Sequence, residues 1–365
     1  MPGTPSADPF TAESHATIDA LPPDCDPLFA TATSLFAGRA WWRIAVSDAL
    51  PAGARPEFVL IRRGGRPAGL FPMLRQPGLT AFTTPYTCLY IPLIAADADP
   101  VGVCREFGRY CKRNASTRLD ALPLEWPHRD AAIAGFQAAG LAVRPFDHFG
   151  NWHEPVAGLG WSGYLASRPG ALRETVRRRL RRAERVAGAR FTLITGSEGL
   201  EEGLARFESV YAKSWKEPEP FPHFNTAHMR AAAAEGILRL GIWSVGEQPV
   251  AVQFWMVEHG QATVLKLAHD EAFKAHSPGT VLTALMLRYL LDEDRVDSID
   301  FGRGDDPYKR DWAACRRQRI GLLMINPWTP LGALQLARHG LGRLRGRVRQ
   351  ALRPAPPAPP PAAVT

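Results

Sequence analysis

The chain reads as an α/β protein, an α+β sandwich of mixed sheets flanked by helices, and three observations predict it. Apolar runs of strand length alternate with segments whose apolar residues recur at three- and four-residue steps, the two periodicities of sheet and helix. Glycine turns at Gly64-Gly65 and Gly246 join apolar runs into two hairpins, FVLIRRGGRPAGLFPML and ILRLGIWSVGEQPVAVQFWMVE. Each hairpin belongs to the same larger order, helix, hairpin, then strand–helix–strand, so residues 28–155 and 160–328 read as two lobes of similar fold. The length of 365 residues suits two domains with additional segments, and a 45% apolar fraction is enough to build their cores.

The elements follow in order. Residues 1–27 are acidic and proline-rich, lack the basic start and apolar block of a secretion signal, and read as a disordered leader of a cytoplasmic protein. The first lobe opens with a helix through Leu28–Gly38, then the first hairpin, a β-rich run Leu79–Ile94, a helix Val101–Asn114, a helix Asp130–Ala139 and a strand LAVRPF. The second lobe opens near Trp161 with a short helix, a break at Pro169-Gly170 and a long basic helix. On that helix Leu172, Val176, Leu180, Ala183 and Val186 form one apolar stripe. A helix Leu200–Lys216 and the second hairpin come next. Residues 329–352 read as a basic amphipathic helix, either a domain cap or a membrane-surface element. Residues 353–365 read as a proline-rich disordered tail.

The densest chemistry lies in Val264–Trp312. It reads as a strand (Ala262–Ala268), the run Ser277-Pro278-Gly279-Thr280, a helix (Thr280–Leu291), a strand (Ser298–Phe301) and a loop FGRGDDPYKRDW. Ser277 is placed to cap the helix, Pro278 suits its first position, and Gly279 leaves room for a ligand against the free N–H groups. An ordinary capped helix has the same signals. The SPG run, the apolar helix and DFGRGD-x-x-YK-x-x-W together resemble the GNAT superfamily of N-acyltransferases, in its CelD-like and Fem-like branch, over roughly residues 40–325. The resemblance implies two tandem GNAT-like lobes, with one donor site in the second. It also implies a coenzyme A pyrophosphate loop at Lys274, Ser277, Gly279 and Thr280; Ser277 stands where the family's first loop glycine is expected. Acetyl-CoA or another acyl-CoA would be the co-substrate, with no metal.

Direct attack of an amine on a thioester needs a proton acceptor, a proton source and carbonyl polarisation. Asp300 is the first candidate base, with a loop-bracing aspartate as the alternative reading; Asp305 is a looser candidate, and Tyr308 a proton donor. Lys309, Arg303 and Lys216 fall at positions the resemblance associates with substrate binding. The segment TPYTCLYIPL resembles the substrate-side segment of CelD-like first lobes, though a purely structural first lobe is the plainer reading.

Net charge is +8, concentrated in Arg173–Arg190 and Arg338–Arg353. Arg178, Arg181 and Arg182 are therefore candidate contacts for a phosphorylated or lipid-linked saccharide acceptor, and the C-terminal helix for a membrane surface. Acceptors in polysaccharide or cell-envelope synthesis follow from the resemblance. An aminoacyl-tRNA donor, as in Fem-like enzymes, and a non-catalytic scaffold are the alternatives. Five scattered cysteines without a C-x-x-C pair predict neither disulfides nor zinc; Cys104 and Cys111 share a helix face and read as core.

Overall fold

A computed structural model describes residues 9–338. The strands are β1 (Phe10–His15), β2 (Arg55–Arg63), β3 (Arg66–Arg75), β4 (Leu79–Ala81), β5 (Leu93–Ile94), β6 (Ser116–Pro123) and β7 (Ala142–Pro155), followed by β8 (Ala189–Ile194), β9 (Leu238–Val245), β10 (Gln248–Glu258), β11 (Gln261–His269), β12 (Ser298–Arg303) and β13 (Cys315–Ile325). The helices are α1 (Asp26–Phe29), α2 (Arg39–Asp48), α3 (Pro100–Cys111), α4 (Arg129–Ala138) and α5 (Trp161–Ser167), then α6 (Gly170–Ala183), α7 (Leu200–Ala212), α8 (Phe224–Ala234), α9 (Pro278–Asp292) and α10 (Lys309–Trp312).

Among the described residues all thirteen strands join one mixed sheet in the order β1-β2-β3-β4-β6-β13-β7-β12-β11-β10-β9-β8, with β5 on β3. Both lobes repeat one plan. An antiparallel hairpin (β2–β3, β9–β10) leads to a strand that pairs in parallel with the strand beyond the next helix: β4 with β6 across α3, and β11 with β12 across α9. The first hairpin turns where the sequence predicts, Gly64 and Gly65 both having positive φ (55° and 79°), as a two-residue hairpin turn requires.

The lobes are not separable along the sequence. β13, the last strand of the second lobe, lies between β6 and β7 of the first and pairs antiparallel with both. The far half of β7 in turn pairs with β12, Ser298 opposite Pro155 and Asp300 opposite His153. Each lobe thus completes its sheet with a strand from the other.

Several expectations need correction. The described part of the leader is ordered: β1 adds to the edge of β2, and Ile18 and Cys25 are buried. Its acids make this possible, because Glu13 and Asp24 both pair with Arg62 on β2 (2.8 and 2.7 Å). Residues 28–38 form only the end of α1 and a 3-10 turn, while WWRIAVSD is itself helix α2, whose Trp41 and Trp42 fill the first core. The Leu79–Ile94 run is strand only at its ends, in β4 and β5. α7 stops at Ala212, and α8 was not anticipated. Residues 330–338 are helical as expected; the rest of the predicted basic helix and the proline-rich tail lie outside the described residues. Cys104 and Cys111 are buried on α3, and the five cysteines are free.

Candidate functional site

The site begins where two strands part. β11 and β12 pair in parallel only through Gln261–Ser298, Ala262–Ile299 and Thr263–Asp300. Beyond that point Leu265 is an extra residue in β11, since Phe254 of β10 faces Lys266 while the next residue, Trp255, faces Val264. Such a bulge bends its strand, and the backbone of β11 after Thr263 has no partner on the β12 side. A cavity of about 590 Å³ fills the gap, walled by Val264–Leu267 of β11, Phe301 and Arg303 of β12, the loop before α10, the start of α8 and Tyr86 and Cys88 of the first lobe.

The start of α9 lies beyond the cavity's Trp215 wall and does not itself line it. Trp215 lines it and lies 4.5 Å from the ring of His269, and that ring is the one neighbour, at 3.5 Å, that a Cβ on Gly279 would meet. Ser277 occupies the N-cap in a left-handed conformation (φ 52°) and its side chain makes no capping bond, contrary to the expected cap. The Val281 N–H returns to the Ser277 carbonyl and Pro278 has no N–H, so the donors left facing outward are those of Gly279 and Thr280. The helix dipole adds positive potential there, an arrangement suited to an anion. Lys274 stands exposed on the preceding turn, beside Glu271 (3.6 Å).

Three lysines reach the cavity, and two are neutralised. Lys266 pairs with Glu219, which also accepts from the Tyr211 hydroxyl. Lys309, only 3% exposed, gives its ammonium to the Arg303 carbonyl (2.7 Å) and to Asp306 (2.9 Å). Its ammonium thus braces the loop, although the side chain lines the cavity as the sequence reading placed it near substrate. Lys216 lies over the rings of Trp215 and Tyr211, and desolvation together with the Lys266 charge pulls its pKa down. Arg303 reaches the cavity with its guanidinium 4.6 Å above Phe149. Tyr308 lines it too; the residue is 41% exposed, and partial desolvation together with the Asp306 charge raises its phenol pKa.

Asp300 faces a second cavity, of about 300 Å³, on the paired side of the parting point. Its Oδ1 accepts from the Asn151 amide (2.7 Å) and the Gly302 N–H (2.7 Å), and its Oδ2 from Arg317 (2.6 Å). Three of roughly four acceptor positions on the carboxylate are thus filled. Arg319, buried beside it, bonds Glu125 (3.0 Å) and Asn151 (3.2 Å) and leaves its Nε without a partner. Cys88 lines both cavities, its thiol pushed up to about 11 by burial and the Asp300 charge. Residues on the two sides of one peptide bond, Thr263 and Val264 in β11, therefore line different chambers, as do Asp300 and Phe301 nearby in β12.

Other candidates fall elsewhere. Asp305 lines neither cavity; its carboxylate is paired with Arg316 (2.5 Å), whose hydrogen bond holds it below the usual carboxylate range. Arg178, Arg181 and Arg182 are exposed on α6, which packs through Val176 and Ala183 in the core around α9, and they line neither chamber. The residues not anticipated are those that another element delivers: Cys88 and Tyr86 from the first lobe, Asn151 from β7, Arg317 and Arg319 from β13. Only the TPYTCLYIPL resemblance offered a signal for any of them.

Comparison with known proteins agrees with this geometry. Residues 170–310 match the family model of the acetyltransferase (GNAT) domain. The second lobe carries a GNAT acetyltransferase domain. Among solved structures the chain is similar in fold to FemX (TM-score 0.56, 12% identity, covering 88% of this chain and 99% of that one). It is also similar to a tandem GNAT protein from the clavulanic acid biosynthesis pathway (0.50, 13%, 86% and 97%). A third likeness is to the C-terminal domain of a putative lysylphosphatidylglycerol synthetase from Agrobacterium fabrum (0.50, 11%, 74% and 84%). At these identities the likeness is one of fold, and it covers both lobes. No curated protein matches the chain.

Proposed function

We propose that the enzyme transfers an acyl group, acetyl from acetyl-CoA, to an amine carried by a polysaccharide or cell-envelope precursor. The observation that carries this reading is the parting of β11 and β12 at Thr263–Asp300, which opens a chamber along one unpaired strand edge, with the uncapped start of α9 beyond its Trp215 wall. Gly279 and Thr280 hold the donor pyrophosphate, assisted by Lys274, and the free edge of Val264–Leu267 supports the thioester arm and polarises its carbonyl. Helix α6 packs on α9 through Val176 and Ala183, and Arg178, Arg181 and Arg182 lie on its exposed outer faces, where they suit a phosphorylated acceptor approaching from solvent.

The acceptor enters by the second chamber, whose Trp126, Ser298 and Thr263 flank the balanced charges of Asp300, Glu125, Arg317 and Arg319. Its amine, donating to the remaining position on Asp300, meets the thioester carbon beside Cys88. The new C–N bond forms as the C–S bond breaks, Asp300 takes the proton from nitrogen, and Tyr308 protonates the departing thiolate. Asp300→Asn then slows transfer about 100-fold with donor affinity intact; a normal rate reduces Asp300 to bracing Arg317.

The alternative donor, an aminoacyl-tRNA, has one observation in its favour: the exposed arginine row on α6 is of the kind that follows a nucleic acid backbone. Calorimetric titration of the full chain with acetyl-CoA and with charged tRNA separates the two. Saturable acetyl-CoA binding that Gly279→Val weakens supports the proposal. Binding of tRNA alone replaces it, and binding of neither leaves a scaffold.

A further inference from the structure

The start of the C-terminal helix is seated on the protein in an unusual sense. The Asn326 side chain anchors it, giving its amide to the Lys112 carbonyl (2.8 Å) and accepting from the Trp328 N–H (3.1 Å). Gly332 faces inward so closely that a Cβ there would lie 1.9 Å from the Asn326 carbonyl oxygen. The face turned outward carries Trp328, Leu331 and Leu334, at three-residue steps, with 81%, 65% and 46% of their surfaces exposed. A helix that caps a domain buries its leucines. This one buries a glycine and presents an indole and two leucines to the outside.

Charge says what covers that face. From Ala313 to Thr365 the sequence contains no Asp or Glu, and six arginines follow from Arg338 onward (Arg338, Arg343, Arg345, Arg347, Arg349 and Arg353). Lys112 and Arg113, exposed at the end of α3 where Asn326 is anchored, add to the same basic region. Tryptophan and leucine near Lys112 and Arg113, followed in sequence by six arginines and no acid, is the composition that settles into the headgroup layer of an anionic bilayer. No described helix is long and apolar enough to cross a membrane, which leaves surface contact as the mode.

We infer that Trp328, Leu331 and Leu334, with the basic residues around and after them, dock the enzyme on the surface of an anionic lipid bilayer. The placement has a geometric consequence. β13 runs from Cys315, beside the chambers, to Ile325, next to the patch, and eleven extended residues span about 35 Å. Docking therefore leaves the chambers away from the lipid, so membrane binding and transfer to a water-borne acceptor are independent.

The test is sedimentation of the full chain with vesicles of phosphatidylcholine alone and of phosphatidylcholine mixed with phosphatidylglycerol. Binding is expected to the mixed vesicles only and to fall as salt rises. Trp328→Ser with Leu331→Ser should weaken it at least tenfold while leaving acetyl-CoA affinity and thermal stability unchanged, and ending the chain at Arg338 should flatten the salt dependence. Equal sedimentation of the double variant and the parent overturns the inference. So does a parent dimer that the double variant dissolves, which would give the patch to a second copy, or retention on RNA without retention on vesicles.

Discussion

Two helices of this protein begin alike, yet one start is capped and covered and the other is open. α3 and α9 each follow a strand of the same plan, each opens with proline, and each precedes the parallel partner strand of its lobe. At the start of α3 the Asp99 carboxylate accepts from the Val101 N–H (3.0 Å), and the space over Gly102 is filled by Asp99 itself and the Phe10 ring, both 2.6 Å from where a Cβ would be. At the start of α9 no side chain caps, and the space over Gly279 is open except for His269. One helix start carries its own anion and a ring from the leader; the other is left for an anion from outside. Duplication of the fold does not duplicate the site, because a single carboxylate satisfies the same N–H groups that a phosphate needs.

The largest effect expected is on the idea that the lobes are units at all. A chain ending at Trp312 lacks β13 and leaves the facing edges of β6 and β7 unpaired, so cooperative unfolding should disappear from both lobes. A truncated protein that still melts in one sharp transition would show that the exchange of strands is dispensable.

Next in size, Ser277→Asp gives α9 the carboxylate that α3 has. Acetyl-CoA affinity should fall at least 100-fold with thermal stability kept or raised, because the added charge caps the helix and repels the pyrophosphate. Unaltered affinity would put the donor elsewhere.

His228, on the wall of the larger chamber, supplies a pH signature. Burial among Trp41, Phe224 and Phe254 lowers its pKa to about 3, against about 6.5 in the unfolded chain. Between those values the unfolded state binds the extra proton, so stability falls as pH drops below about 6.5, by about 2 kcal/mol at pH 5. His228→Phe should make that acid limb shallower in denaturant melts; an unchanged slope would assign it to other groups.

The smallest effect tests the closed helix. Asp99→Ala should cost about 1 kcal/mol of stability as a lost cap. It should create no second CoA site, since Phe10 still covers Gly102. Two donor sites by calorimetry in this variant would mean that Asp99 alone keeps the first lobe silent.

Local signals in the chain were enough for the α/β class, both hairpins, the Pro278-led helix and the strand holding Asp300, because turn glycines, periodicity and helix-start residues act within a few positions of one another. The same locality explains what was misread. The leader looked disordered by composition, yet its acids find Arg62 only once β2 exists. Lys309 reads as a substrate group and Asp305 as a base because nothing nearby in sequence shows that the Arg303 carbonyl and Arg316 will engage them.

By itself, then, the sequence determined the family of fold, the position of the Pro278-led helix start and the uneven distribution of charge. Only the tertiary structure decided that β13 would close the first lobe, that Cys88 would stand between two chambers, and that Asp300 would be met by Asn151, Arg317 and Gly302. These contacts join residues as much as 212 positions apart, as between Asp300 and Cys88 (300 − 88), and strand pairing follows hydrogen bonds that any backbone offers. Side chains select which edges meet through burial summed over the whole sheet, and no short stretch of sequence contains that sum.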